Sequence, residues 1–536
     1  MSKKVLAVIL SLILAFSVVA VPVGAADVSL DNFNIENVFN TIIDKLISFV
    51  LTYLNQFWPG YDDQWVGQDE YVPEHFYTGE ETFDTEVSDE AKWEMGYAGA
   101  SLLDGIDATS GDYFLAGTLE PIAGRVPVRV IDDQRVRVYA VTDGVSGVVI
   151  QAVIDGFGLS RGDIQIIRER MEEFATNNNV VAINVSVLHQ HSCIDTLGMN
   201  VPLAQALLFN TGNAAAGGIL GDLKVEKNQE FMENLYAKTV LAMKRAVNAM
   251  KPGELYYGYA DINELIHDKR EPISYDPNIN RLRFVPEDGS TETWVLEAGI
   301  HCTMLGAGPD ELTADFPYYI ERAIKTSEYG ANVVYVQGAE LAITTDCDTL
   351  NLPEDMDGVE RMVAYGEAVA ERVMAIDNDI ALDPVLNIKM AEVRLDVTNE
   401  ILTLAAREDV LNPVIVKTED DYQMITEIGY MELGNEVAIF ICPGEFEPAL
   451  IYGGPSSGDA SWSGEEWTYE PLKNITSCEN VMVFGLSNDQ AGYVLRDNEY
   501  HSMFTENEEI NVICDTAGSA FVNAFIDLLA STKPAV

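Results

Sequence analysis

The chain is 536 residues long and carries 86 acidic against 32 basic side chains, a formal net charge of −54. That charge excludes nucleic acid as a partner, since phosphates would be repelled, and disfavours simple electrostatic attraction to anionic lipid. Six cysteines with no C-x-x-C spacing speak against a structural zinc knuckle and leave any disulfide pairing open.

The N-terminus reads as an address. Met1-Ser-Lys-Lys4 is basic, 5–21 is almost wholly apolar, and 23–26 offers small residues for cleavage. Together they predict a secretory signal peptide over 1–26 and a secreted or extracytoplasmic protein, with cell-surface association open. The apolar core is too short to favour an uncleaved membrane anchor. In 35–58, Val38, Ile42, Leu46, Phe49, Val50 and Tyr53 recur at helical spacing, interrupted by Asn37, Asp44 and Lys45. An amphipathic helix follows, either docked on the globular part or in peripheral contact with a membrane. Residues 59–92 are acidic and rich in Gly, Pro and aromatics, and read as a linker or extended arm that completes a 27–92 leader segment.

From about Trp93 the composition is that of a globular domain, 93–536, in which strand-like and helical runs alternate. Neighbouring strands are expected at 125–131 and 135–141, joined by Asp132-Asp-Gln, and helices at 163–174, 229–250 and 357–377. Further strands are expected at 180–188, 282–284, 293–296, 331–337, 437–442 and 481–485. The alternation predicts an α/β fold with mixed β-sheets flanked by helices.

Several of these strands end in chemistry. The run 180–188 leads into His189-Gln-His191, and residues i and i+2 share a face of a strand. Gly299-Ile-His-Cys-Thr-Met304 places His301 where a third imidazole can join the pair. Cys442-Pro-Gly-Glu-Phe-Glu447 sets carboxylates just past an apolar run, and Asp489-Gln-Ala-Gly-Tyr-Val494 does the same for Tyr493. Two histidines and a carboxylate with an open position for water is a catalytic zinc arrangement. His191 suits general acid/base work, because imidazole titrates near neutrality. Each fragment alone has a plain structural reading: His301 a satisfied core histidine, Glu445 a cap, Tyr493 core packing. Cys193 and Cys302 lie near these histidines and are candidate ligands, buried small residues or disulfide halves.

Taken in order, the fragments resemble the neutral/alkaline ceramidases, zinc amidases that hydrolyse N-acylsphingosine. Leu188-His-Gln-His-Ser192 resembles that family's Thr-His-Thr-His-Ser-Gly, and His301-Cys-Thr-Met304 its His-Ser-Thr-Ser-Met. Pro443-Gly-Glu-Phe446 resembles Pro-Ala-Glu-Phe, and Ala491-Gly-Tyr-Val494 resembles Ala-Ser-Tyr-Val. The strand ending at Asp155-Gly156 also has a counterpart. The resemblance spans about 96–512 and implies a ceramidase-like zinc hydrolase domain. In it His189, His301, Glu445 and Tyr493 hold Zn2+, His191 sits beside the metal, and Arg270 (or Lys269) is the cation that meets substrate. The departures are specific. Leu341-Ala-Ile-Thr-Thr-Asp346 stands where the family has Gly-Asp-Val-Ser-Pro-Asn, so Thr344 replaces the catalytic serine and the loop's Gly and Pro are missing. No immunoglobulin-like domain is expected after Val536. The implied substrate is an N-acyl lipid or another small amide. The alternatives are an inactive ceramidase-like binding protein that retains the metal scaffold, and an envelope protein whose histidines are scattered in space.

Overall fold

The computed structural model describes residues 65–117, 124–199, 227–305, 310–407, 410–419, 421–455, 458, 461–501 and 509–533. The signal peptide expected at 1–26 and the helix expected at 35–58 lie outside the described residues. No helix among the described residues is long and apolar enough to cross a membrane.

Two mixed sheets organise the chain. The larger has nine strands among the described residues: β1 (Glu94–Ser101), β2 (Arg135–Thr142), β3 (Val148–Ile154), β4 (Val180–Val187), β5 (Lys251–Asp261), β6 (Asn278–Pro286), β7 (Thr293–Ala298), β8 (Asn332–Gln337) and β9 (Ile380–Leu382). Their order is β8-β7-β6-β5-β1-β2-β3-β4, with β9 also on β5. The pairs β3/β4 and β7/β8 are parallel and lie at the two ends of this order, and the rest are antiparallel. The smaller sheet runs β10 (Leu386–Asp396), β12 (Tyr422–Leu433), β13 (Val437–Ile441), β14 (Asn480–Phe484), with β11 (Val414–Lys417) also on β12. In it β13 and β14 are parallel.

Side-chain alternation splits the smaller sheet into two faces. In β13, Val437, Ile439 and Ile441 enter the main core with the larger sheet's Leu255, Val295 and Val334. Ala438 and Phe440 point the other way, onto Phe521 and Phe525 of helix α7 (Ala517–Ser531). Helices α1 (Arg161–Asn177) and α2 (Gln229–Asn248) pack against β1–β4, while α3 (Asp315–Thr326) and α4 (Gly358–Met374) cover β8 and β5. Helix α4 starts at a reciprocal capping box: Glu360 N–H donates to Asp357 Oδ1 at 2.8 Å and Asp357 N–H to Glu360 Oε2 at 3.3 Å. Short helices α5 (Glu400–Arg407) and α6 (Pro448–Tyr452) complete the described set.

The structure departs from one local expectation. Residues 125–131 do not form a hairpin with β2. Only Arg129–Val130 is a strand, paired in parallel with Glu311–Leu312, and Val128 and Val130 are exposed. The cause is Asp132, a buried carboxylate that accepts from Thr313 Oγ1 and Ala314 N–H, both at 2.6 Å, and from Tyr319 at 2.9 Å. Those bonds draw the segment to α3, away from β2. The helix α2 ends at Asn248, and Lys251-Pro-Gly253 then opens the long strand β5.

Residues 65–92 run as an extended arm. Tyr71 donates to Glu392 at 2.7 Å, Gly67 and Gly79 bridge to Lys417 and Lys389, and Phe83 stacks on Tyr430. All six cysteines are free thiols, five of them buried.

Asp315 opens α3 at a positive φ of 56° and is wholly buried. Its carboxylate holds the N–H of Met304 at 3.0 Å and of Phe316 at 2.7 Å, and burial pushes its pKa from 3.8 up to about 7. The folded state therefore keeps a proton that the unfolded chain has lost. Stability from this group is full below about pH 4 and falls as pH rises to about 7. Urea midpoints of wild type and Asp315→Asn should diverge across that window, with wild type losing relative stability as pH rises. A constant difference would contradict the assignment.

Candidate metal centre

The loops that leave the C-terminal ends of β3, β4, β7, β8, β13 and β14 meet at one place, and backbone hydrogen bonds stitch them together. Gln190 N–H reaches Gly156 O (3.0 Å), His191 N–H reaches Cys302 O (3.2 Å), His301 N–H reaches Ile343 O (2.9 Å), and Gly485 N–H reaches Gln337 O (2.8 Å). The approach is close enough to require glycine at Gly299, where a Cβ would stand 2.1 Å from Ala339 O. Non-glycine residues with positive φ gather in the same loops: His189 (52°), Ala342 (67°), Leu486 (45°) and Asn488 (66°). Such strain persists only where the surroundings over-determine it, and it concentrates at functional sites.

Three imidazoles meet here. Ring centroids are 4.7 Å apart for His189–His191, 5.2 Å for His189–His301 and 5.9 Å for His191–His301. Each Nδ1 faces a backbone carbonyl: Phe157 at 2.8 Å, Gly117 at 3.1 Å and Glu340 at 3.0 Å, respectively. Donation to a carbonyl places the proton on Nδ1 and leaves an Nε2 lone pair for the centre. Glu445 spans two of them, its Oε2 3.1 Å from His301 Nε2 and its Oε1 3.5 Å from His189 Nε2. The Nε2 of His191 is buried with no hydrogen-bond partner. Phe157 stacks on His189 at 4.4 Å and shields it.

A fifth side chain belongs to the group. Glu340, 0% exposed, lies behind His301, its carboxylate 3.8 Å from Nδ1. The electrostatics follow from burial. Burial holds His189 well below the ordinary imidazole range and brings His191 down to about 3, with neighbouring imidazoles adding to both. His301 goes the other way: burial opposes its charge, but Glu340 and Glu445 outweigh burial and raise it to about 9. Glu340 itself is pushed well up by burial, with Glu445 adding and His301 opposing.

The donors of His189, His301, Glu340 and Glu445 lie within 4.8 Å of one another, as do those of the three histidines. Buried carboxylates are costly unless compensated: His189 and His191 are held neutral, only His301 is drawn toward its charged form by Glu340 and Glu445, and a dication would supply the compensating charge in its place. The orphaned Nε2 of His191 and the nitrogen–oxygen donor set fit a borderline divalent ion. Gln190, between the two histidines, is locked by Asp155 Oδ1 (3.0 Å) and Ala314 O (2.6 Å), and Asp155 in turn by Arg137 (2.6 Å). This shell fixes the β4 loop.

The remaining expected residues are placed as follows. Tyr493 is the register partner of Glu445 in the two-residue parallel pair Glu445–Phe446/Tyr493–Val494, and it packs on Leu341, Leu495 and Val512. Thr344 sits in the pair Ile343–Thr345/Ile266–Asp268, next to the carbonyl that holds His301. Arg270 is turned inward. It is 7% exposed, donates from Nη2 to Glu499 O at 3.0 Å and lies 3.7 Å from Glu509. Its exposed neighbour Lys269 is near enough for its charge to weigh on both His191 and His301. Of the two cations, Lys269 is the exposed one, and Arg270 is buried against Glu499 and Glu509.

Sequence reasoning missed Glu340 as a member of the site. The signal was present, since Gln337-Gly-Ala-Glu340 leaves a strand as Glu445 does. One carboxylate among 86 acidic residues carries no mark until the fold sets it behind His301. Glu340→Gln should weaken metal affinity by about 10–100-fold, the usual cost of losing a group that orients a ligand. Competition with a chromogenic chelator measures this, and an unchanged affinity would make Glu340 a bystander.

The structure is a mixed α/β fold with a buried His/Glu cluster whose donor atoms could hold a metal ion. No protein-family profile matches the sequence, and no curated protein matches it. Among solved structures, the neutral ceramidase from Pseudomonas aeruginosa superposes with a TM-score of 0.61 at 12% identity, over 83% of this chain and 75% of that one. A ceramidase complexed with C2 superposes with a TM-score of 0.58, again at 12% identity, over 82% and 75%. At that identity the likeness is one of fold.

Proposed function

We propose that the chain is an exported, zinc-dependent hydrolase of an amide bond, acting on an N-acylsphingosine or related N-acyl lipid. The observation that carries this reading is the convergence of His189, His191, His301 and Glu445 at the strand ends of a ceramidase-like fold. His189, His301 and Glu445, with Tyr493 paired beside Glu445, would hold the metal, the two histidines and carboxylate being a set of the kind used by hydrolytic zinc sites. Bound there, the ion supplies Lewis acidity, polarising an amide carbonyl and lowering the pKa of water to about 7.

The chain's own groups do the rest. His191, whose Nε2 has no partner, takes the proton from the attacking water and returns it to the amine nitrogen as the C–N bond breaks. Lys269 offers positive charge to the substrate's developing oxyanion or polar head group. Phe157 keeps bulk water off His189. Thr344 contributes a hydroxyl for orienting substrate. Tyr493, beside Glu445, borders the centre.

A second reading, a binding protein that keeps the metal but does not turn over, draws on Thr344. A β-branched residue stands there, held in a strand pair, where a mobile serine would be wanted. His191→Ala separates the readings. In a hydrolase it should retain metal and lose about 10²–10⁴-fold in turnover of N-acylsphingosines or N-acyl amino acids. If the wild type binds metal and hydrolyses none of these amides, the binding-protein reading holds. If His191→Ala loses the metal, His191 is a ligand and not the base.

A further inference from the structure

A cavity of about 430 Å³ lies outside the metal cluster, lined in part by Tyr257, Tyr259, Asp276, Asn278, Tyr452 and Lys473. Its volume is within the usual range for small-molecule sites, about 300–1,000 Å³. Its floor is built and held rigid. Asn280 donates from Nδ2 to Glu297 at 2.7 Å and to Asp276 at 3.3 Å, and accepts from Tyr257 at 2.8 Å. Asn278 donates from Nδ2 to Asp276 at 2.8 Å, and its amide oxygen is an acceptor. The Tyr452 hydroxyl is buried and has no partner. Burial first, and then the charges of Glu297 and Asp276, hold it neutral, so it stays a donor in want of an acceptor. At the mouth Tyr259 is 45% exposed, its ring 6.3 Å from that of Tyr257.

This chemistry selects its ligand. Among the lining residues Val481 is the sole aliphatic one, which excludes an acyl chain. Most of the polar groups are uncharged amides and phenols. An amide side chain both donates and accepts, and so does a hydroxyl. An exposed tyrosine offers an apolar face beside a polar edge. A ring bearing several hydroxyls on one face and C–H groups on the other matches all three. We propose that this cleft is a saccharide-binding site, with Tyr259 as the stacking face and Asn278, Asp276 and Tyr452 as hydroxyl partners. The assignment goes beyond the hydrolase reading and does not rest on it. Its neighbourhood gives it consequence: Glu297 lies on the segment that continues to His301, and Tyr452 on the one that begins at Glu445.

Isothermal titration calorimetry of the full chain tests this with the methyl glycosides of glucose, galactose, mannose and N-acetylglucosamine, and with calcium chloride. At least one glycoside should bind at roughly millimolar affinity. Tyr259→Ala at an exposed position and Asn278→Ala at a half-buried one should each weaken it about tenfold or more while metal content and far-ultraviolet circular dichroism stay those of wild type. Heat with no glycoside, or affinity unchanged in both variants, would overturn the assignment. Heat from calcium alone would make this a cation site instead.

Discussion

Alanine in place of His189 or His301 should empty the metal centre. Purified without chelator, the wild-type chain should carry about one zinc, and each variant close to none. Both histidines point Nε2 at the same carboxylate, Glu445, so losing either removes an anchor from a set of three. Amide hydrolysis should fall to background in both, because the polarising ion is gone. The fold should survive, since the site hangs on backbone bonds between loops that the imidazole rings do not make. Inductively coupled plasma mass spectrometry reads the metal and circular dichroism reads the fold. A wild type without zinc, or variants that keep it, would sink the assignment. A metal other than zinc in wild type would keep the site and correct the ion.

The second large effect concerns stability. Glu427 is fully buried on β12 and is shared by two arginines of α1: Arg168, whose Nη1 donates at 2.9 Å, and Arg161, whose Nη2 lies 3.6 Å away. Arg168 spends its remaining donors on Ile183 O at 3.1 and 2.8 Å, and Arg161 reaches Thr426 O at 3.1 Å and Glu392. Tyr71 of the arm closes the network on Glu392, with Phe76 and Tyr77 lying near the two guanidinium groups. Glu427→Ala leaves both buried guanidinium groups short of their counter-charge. The expected loss is about 3–5 kcal/mol, the cost of breaking a buried pair by deleting one partner. Urea denaturation measures it, and a loss under about 1 kcal/mol would mean that water or Glu392 replaces the carboxylate. Tyr71→Phe removes a single hydrogen bond to Glu392 and should cost only about 1 kcal/mol.

Much of this protein is legible one residue at a time. Continuous runs of Val and Ile mark β3, β4, β8 and β13, because strands buried on both faces must be apolar throughout. The helices α1, α2 and α4 show in their periodicity to within a few residues. His189, His301 and Glu445 announce themselves by the same rule, a polar side chain one or a few positions beyond such a run. Where the strand signal was diluted it failed. β5, β10 and β12 alternate polar with apolar residues over their lengths and carry no such run, and 125–131 imitates a strand although Asp132 ties it to Ala314 and to Tyr319 of α3.

What the amino-acid order determined by itself is local: which stretches are strands or helices, and which polar groups sit at their ends. Periodicity and burial act over a few residues, so they can be read there. Tertiary structure alone decided which ends meet. β4 and β7 lie far apart in the larger sheet's strand order, and β13 belongs to the other sheet, yet their loops share one centre. It decided too that Glu340 stands behind His301, that Arg270 is buried while Lys269 is exposed, and that Tyr493 lies in register with Glu445. These are contacts between segments distant in the chain, set by sheet order and the packing of two cores, and no local spacing encodes them.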